Sequence, residues 1–169
     1  MLRHPSAQIR SIPSFTMALP AGWISAEVAD GLLLAGTPPE LKDRWTTILL
    51  QHERAERPYD LEMAATDTWR LEQSLAPEAE ILEEQVVATR QRTIYMRAAS
   101  YPAVGEAEPI GQAQMLFFSP VGTNPTLDLF KLTCLAPESQ IKSFMPELFD
   151  VAASFRFEDD PSDDSPLPE

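Results

Sequence analysis

A single cysteine, Cys134, is all that the 169 residues carry. An internal disulfide is thereby excluded, which suits a reducing compartment. Histidine is almost as scarce, with only His4 and His52. The six glycines stand apart from one another, so no phosphate-cradling loop, dinucleotide fingerprint or nucleophile elbow can be assembled from them. No window approaches the ~20 consecutive apolar residues of a membrane-spanning helix. Bases are also few: 13 Lys and Arg stand against 26 Asp and Glu, for a net charge of −13. Six of the acids lie in 158–169, which has no base, leaving 20 acids against 13 bases and −7 over 1–157. A body of that sign lacks the clustered cations needed for a phosphate backbone or an anionic lipid surface. Neither nucleic acid nor membrane insertion is therefore expected. The first residues contain bases but no apolar run of signal-peptide length, and a cytoplasmic setting is the expectation.

What remains is a chain of ordinary apolar content, 44%, long enough for one sizeable core. Residues 1–11 read as a flexible arm, 12–157 as a single domain and 158–169, rich in Asp, Ser and Pro, as a disordered acidic tail. Phe15, Met17 and Leu19 share one parity, which predicts an opening strand over 15–19 about which the other elements are organised. Pro20 and Gly22 turn the chain, and Trp23 is placed to fold back over the strand's end. A short strand is expected over 31–37. The run WTTILLQHE at 45–53 is apolar on both parities and reads as a central strand. Asp60 is a good N-cap for a helix over 61–75, with Leu61, Ala64, Ala65, Thr68, Leu71 and Leu75 on its apolar face.

Residues 79–89 and 92–101 read as an antiparallel pair. Leu82, Val86 and Ala88 share one parity of the first strand, imperfectly, and Ile94, Met96 and Ala98 one parity of the second. The turn between them lacks the Asn-Gly or Gly of a tight hairpin and should be looser. Strands follow at 111–119 and 126–135. A second helix over 138–155 carries the stripe Ile141, Phe144, Met145, Leu148, Val151, Ala152 and Phe155. Pro146 within it implies either a kink or a fresh start there. Nearly all sixteen prolines fall between these segments. The pattern is α+β: an antiparallel sheet of about six to seven strands with two main helices packed on it.

Candidate chemistry is thin. The segment HERAE at His52 lacks the second histidine of a zincin, and the aspartates of the tail lack the spacing, glycine and closing glutamate of a calcium loop. Glu83 and Glu84 point to opposite faces of a strand. Arg90, Arg92 and Arg97 read as an exposed edge balancing the acids of 78–84, and Cys134 as a buried, inert thiol. No catalytic, cofactor-binding or metal-binding residue is assigned, and no cofactor is expected. Trp69, at the margin of its helix's apolar face, is the candidate partner contact.

The order of segments F-x-M-x-LPAGW, TTILLQHER, Asp60-Leu61, GQAQMLFF, LFKLTCLAP and AASFRF resembles the PsbP-like fold, and within it the LpqN-type actinobacterial family, with DcrB and the Eag-type effector chaperones as distant relatives. The resemblance covers roughly 15–157. It implies an α/β/α sandwich, no shared catalytic residues, and members that bind proteins or hydrophobic segments. Thr89-Arg90-Gln91 stands where the family has a glycine turn, and the lipoprotein signal of the secreted members is absent. The leading expectation is a non-enzymatic protein-binding module, an adaptor or chaperone linked to a secretion or cell-envelope system. The alternative is a carrier of a small apolar ligand held between sheet and helix, on the apolar faces of 111–119 and 126–135. An enzyme of unrecognised type is a third reading. Oligomeric state and partner identity have no signature in the sequence.

Overall fold

The computed structural model describes residues 12–26, 33–37, 46–102, 105, 108–119 and 126–157. The arm 1–11 with His4, the start of the expected strand at 31–32, residues 38–45 with Trp45, residues 120–125 and the tail 158–169 lie outside the described residues.

In chain order the elements are β1 (Phe15–Thr16), β2 (Ile24–Ala26), β3 (Leu33–Gly36), β4 (Thr47–Glu56), α1 (Leu61–Leu75), β5 (Glu80–Ala88), β6 (Thr93–Tyr101), β7 (Ile110–Phe118), β8 (Thr126–Pro137), α2 (Glu138–Ala153) and β9 (Arg156–Phe157). Seven strands form one antiparallel sheet in the order β2-β3-β4-β8-β7-β6-β5, and β1 pairs with β9 in a separate two-stranded sheet. The helices cover opposite faces, so the layers are α/β/α, as expected.

The α2 face holds the main core. Ile48, Leu50, Met115, Phe117, Phe130 and Leu132 point into it from the strands, against Ile141, Phe144, Leu148, Val151 and Phe155. Of the stripe read from the sequence all but Met145 is buried; the helix ends at Ala153, short of the expected 155, so Phe155 lies just beyond it. Pro146 sits on the exposed side of a helix that runs through it. Phe15, Phe117, Phe130, Phe155 and Phe157 make a ring cluster, with Phe155 4.9 Å from Phe117 and 5.1 Å from Phe15 between centroids. The helix approaches β7 closely at Gly111. A Cβ built there would lie 2.7 Å from the Cβ of Ile141 and 2.9 Å from the Cα of Glu138. Gly111→Ala is therefore expected to cost about 1–3 kcal/mol of stability, read as a lower urea midpoint at unchanged slope.

The α1 face is thinner. Ala64 and Ala65 pack on Tyr95, Leu116 and Leu129. Asp60 caps α1 through the amide of Met63 at 2.8 Å, as the sequence predicts. The expected apolar face is only half realised: Leu71 and Leu75 are exposed, and Trp69 and Glu72 turn towards the sheet instead. The sheet beneath them is polar there, carrying Arg97, Gln112 and Gln114.

Three further expectations are corrected. The opening strand is only two residues long and lies outside the large sheet, although its alternation holds, with Phe15 and Met17 against the core. The organising strands are β7 and β8, at the centre. A register shift between Ile81 and Glu83 inserts Leu82 as an extra residue, so that Leu82 reaches the α2 core while Val86 faces α1 and is 62% exposed. The turn after β5 is the looser one expected. The Thr89 hydroxyl accepts from the amide of Arg92 at 3.0 Å. At the other turn, Gly22 takes φ 83° and the amide of Trp23 donates to the carbonyl of Pro20, which folds Trp23 onto the core.

Candidate functional site

Under α1 the sheet presents a buried cation. Tyr95, Arg97 and Tyr101 share the α1-facing parity of β6, and Gln112 and Gln114 that of β7. Arg97 was expected on an exposed edge. It is 2% exposed, because β6 is an inner strand flanked by β5 and β7 and α1 lies over this face. Its Nη1 donates to the carbonyl of Ala65 at 3.1 Å, and its Nη2 donates to Oε1 of Gln114 at 2.8 Å. Glu72 of α1 supplies the countercharge at 3.6 Å. That carboxylate accepts from Tyr101 at 2.7 Å and from Gln112 and Gln114 at 2.9 Å each. A buried pair needs such extra hydrogen bonds, since Coulomb attraction alone does not offset its desolvation. Trp69 covers the guanidinium, with its ring centroid 4.9 Å away, and Tyr95 lies at 5.7 Å. Nε of Arg97 has no partner among the described residues.

Beside this network α1 and β5 stand apart and leave a cleft of about 550 Å³. Leu61, Ala65 and Trp69 form its helical wall, Ile81, Glu84 and Val86 its wall on β5, and Tyr95 and Arg97 its floor. Tyr95 donates to Glu84 at 2.6 Å. Burial, and then that hydrogen bond, push its phenol up to about 12. Burial and the bond to Glu72 raise Tyr101 as well. Both phenols are thus protonated donors at neutral pH. The cleft offers aromatic surface, apolar walls and fixed hydrogen-bonding groups, which is the equipment of a binding surface.

Other sequence candidates fall elsewhere. Trp69, the candidate partner contact, is half-buried on the cleft wall. Arg92 is half-buried rather than on an exposed edge: it donates to the carbonyl of Phe155 at 2.6 Å and lies over the rings of Phe117 and Phe157. Arg90 is exposed, as expected. His52 lies at the far end of the α2 face, its Nε2 2.8 Å from Oδ1 of Asp128, which Arg54 also contacts at 2.9 Å. Among the described residues no three metal-ligating side chains converge, and no helix is long and apolar enough to cross a membrane. Cys134 is 1% exposed and 3.0 Å from the Thr46 hydroxyl. Burial lifts its thiol to about 11. The thiolate is then favoured in the unfolded chain, so this contribution to stability is lost as pH rises from the ordinary thiol range towards about 11. Iodoacetamide at mildly alkaline pH should label Cys134 only after unfolding, and mass spectrometry along a urea series would show it.

The apolar faces of β7 and β8 that suggested a ligand carrier are filled. Phe117, Phe130 and Phe155 are fully buried against one another, and Leu116 and Leu129 are closed by Ala64 and Ala65.

No family model matches the sequence, and no curated protein matches it. Solved structures do. LpqN of Mycobacterium tuberculosis, described as involved in cell envelope biogenesis, aligns with a TM-score of 0.63 at 12% identity, over 90% of this chain and 86% of that one. The Ran-binding protein Mog1p of Saccharomyces cerevisiae aligns with a TM-score of 0.61 at 15% identity, over 85% and 89%. Cyanobacterial PsbP from Synechocystis sp. PCC 6803 aligns with a TM-score of 0.53 at 15% identity, over 87% and 94%. The chain has the PsbP-like fold. At these identities the likeness concerns the fold alone.

Proposed function

We propose that the chain is a non-enzymatic protein-binding module, an adaptor or chaperone acting with a secretion or cell-envelope system, and that its partner docks over the cleft between α1 and β5. The observation that carries this reading is the cleft itself. Trp69 stands on one wall and the exposed Val86 and Ile81 on the other, above a floor fixed by buried hydrogen bonds. A rigid aromatic anchor beside exposed apolar side chains is the usual core of a protein interface. Among proteins of this fold, Mog1p is a Ran-binding protein and LpqN is involved in cell envelope biogenesis, which supports the class without naming the partner. Kinship with the LpqN-type family belongs to this proposal and rests on shared fold and on the segments LPAGW and AASFRF. So does a cytoplasmic setting, for which the lone, buried Cys134 is the support.

The test is site-specific photo-crosslinking in the native host. A photoreactive residue at Val86 should yield a discrete protein adduct, and one at the exposed Lys142 of α2 should not. Trp69→Ala should reduce the Val86 adduct. Equal labelling from both positions, or none from Val86, would overturn the reading.

A further inference from the structure

We infer that the occupant of the cleft is an extended segment of a partner protein bearing lysine or arginine, laid along the outer edge of β5 with a basic side chain in the cleft. The inference rests on the protein-binding reading above and specifies the chemistry of its partner.

Two observations meet at β5. The first is its position. It ends the sheet, and no described strand pairs with its outer edge, so the outward amides and carbonyls of a nine-residue strand are offered to another chain. An edge of this kind accepts an added strand through its main chain, and pockets for alternate side chains set the choice. The shift at Leu82 interrupts the edge early, and from Glu83 to Ala88 the pairing with β6 is regular.

The second is charge. The cleft is lined by Glu62, Glu84, Arg70 and Arg97. Both cations already have carboxylate partners: Arg70 lies 3.2 Å from Asp67, and Arg97 3.6 Å from Glu72. Neither Glu62 nor Glu84 has a basic partner within ion-pair distance among the described residues. Glu80 and Glu83, both exposed, add acid along the same strand on its other face. Within the cleft the acids without a cation, Glu62 and Glu84, lie beside the indole of Trp69, the aliphatic Ile81 and Val86 and the phenol of Tyr95. A basic side chain fits it in two ways. Its aliphatic stem covers Val86 and Trp69, and its head reaches Glu84 or Glu62. A second copy of this chain fits poorly, because edge-to-edge pairing would bring two acidic strands together.

Three short peptides serve as probes: one alternating lysine and valine, one with glutamate for each lysine, and one with serine. Binding is followed by the indole N–H of Trp69 and the β5 amides in heteronuclear NMR. The lysine peptide is expected to shift Trp69 and the amides of 83–88, more weakly as salt rises. The pair Glu62→Gln and Glu84→Gln keeps the acceptor for Tyr95 and should weaken that peptide by about fivefold or more. Equal or tighter binding of the glutamate or serine peptide at Trp69 would overturn the charge assignment and leave the cleft a docking surface. Shifts confined to another face, no shift with any peptide, or dimerisation through β5 at NMR concentration would overturn the inference outright. The crosslink from Val86 judges the parent reading separately.

Discussion

Arg97→Met is expected to lower the free energy of unfolding by about 3–5 kcal/mol. The substitution keeps much of the stem and removes the charge. Glu72 is then left on the protein side of α1 with three donors, Tyr101, Gln112 and Gln114, but no cation. The carbonyl of Ala65 and Oε1 of Gln114 each lose the donor that Arg97 supplied. The indole of Trp69 loses the guanidinium beneath it. Urea unfolding followed by far-ultraviolet circular dichroism measures the loss. Adding Glu72→Met should restore part of it, since removing both partners of a buried pair costs less than removing one. A double variant as unstable as the sum of the singles would show that the two residues act independently.

Phe155→Ala should cost a similar amount, about 3–5 kcal/mol, for a different reason. Phe155 is fully buried where α2 hands over to β9, and it meets the rings of Phe15, Phe117, Phe130 and Phe157. Truncation opens a cavity between the small sheet and the large one, and the surrounding rings cannot collapse into it without leaving their own contacts. Phe155→Leu, which refills most of that space, should cost clearly less. Because β1 is held chiefly through this cluster, the alanine variant should also be cut sooner near Phe15 in limited proteolysis. A loss below about 1 kcal/mol would mean that the cluster repacks freely.

The two faces of the sheet were not equally legible in the sequence. On the α2 face periodicity and burial agree at most positions. Ile141, Phe144, Leu148, Val151 and Phe155 repeat at helical spacing, the strands below alternate, and each of these side chains is buried. Hydrophobic periodicity encodes such a face directly. On the α1 face it misleads. Leu71 and Leu75 look like core and are exposed, while Glu72, which no apolar spacing marks, binds the cation below. A pattern rule cannot place a glutamate inward without knowing that Arg97 waits there, 25 residues later in the chain. Arg97 itself did carry a signal. It sits in TIYMRAAS, a run apolar on both parities, where a charged residue must find a partner or cost several kcal/mol. The irregular alternation of β5 was visible too, but only the paired strand reveals that Leu82 is the inserted residue. Trp69 stands out in the sequence by its marginal place on the helix. The cleft beside it depends on how far α1 stands from β5, and no local pattern records that distance.

The contrast between the two helices carries a kinetic consequence. α2 is locked by large apolar side chains, whereas α1 rests on two alanines and on the hydrogen-bonded cluster around Arg97 and Glu72. Amide protons of α1 should therefore exchange with solvent through brief local lifting, and those of α2 only when the whole molecule opens. A partner seated against α1 would then be reported by slowed exchange in that helix alone.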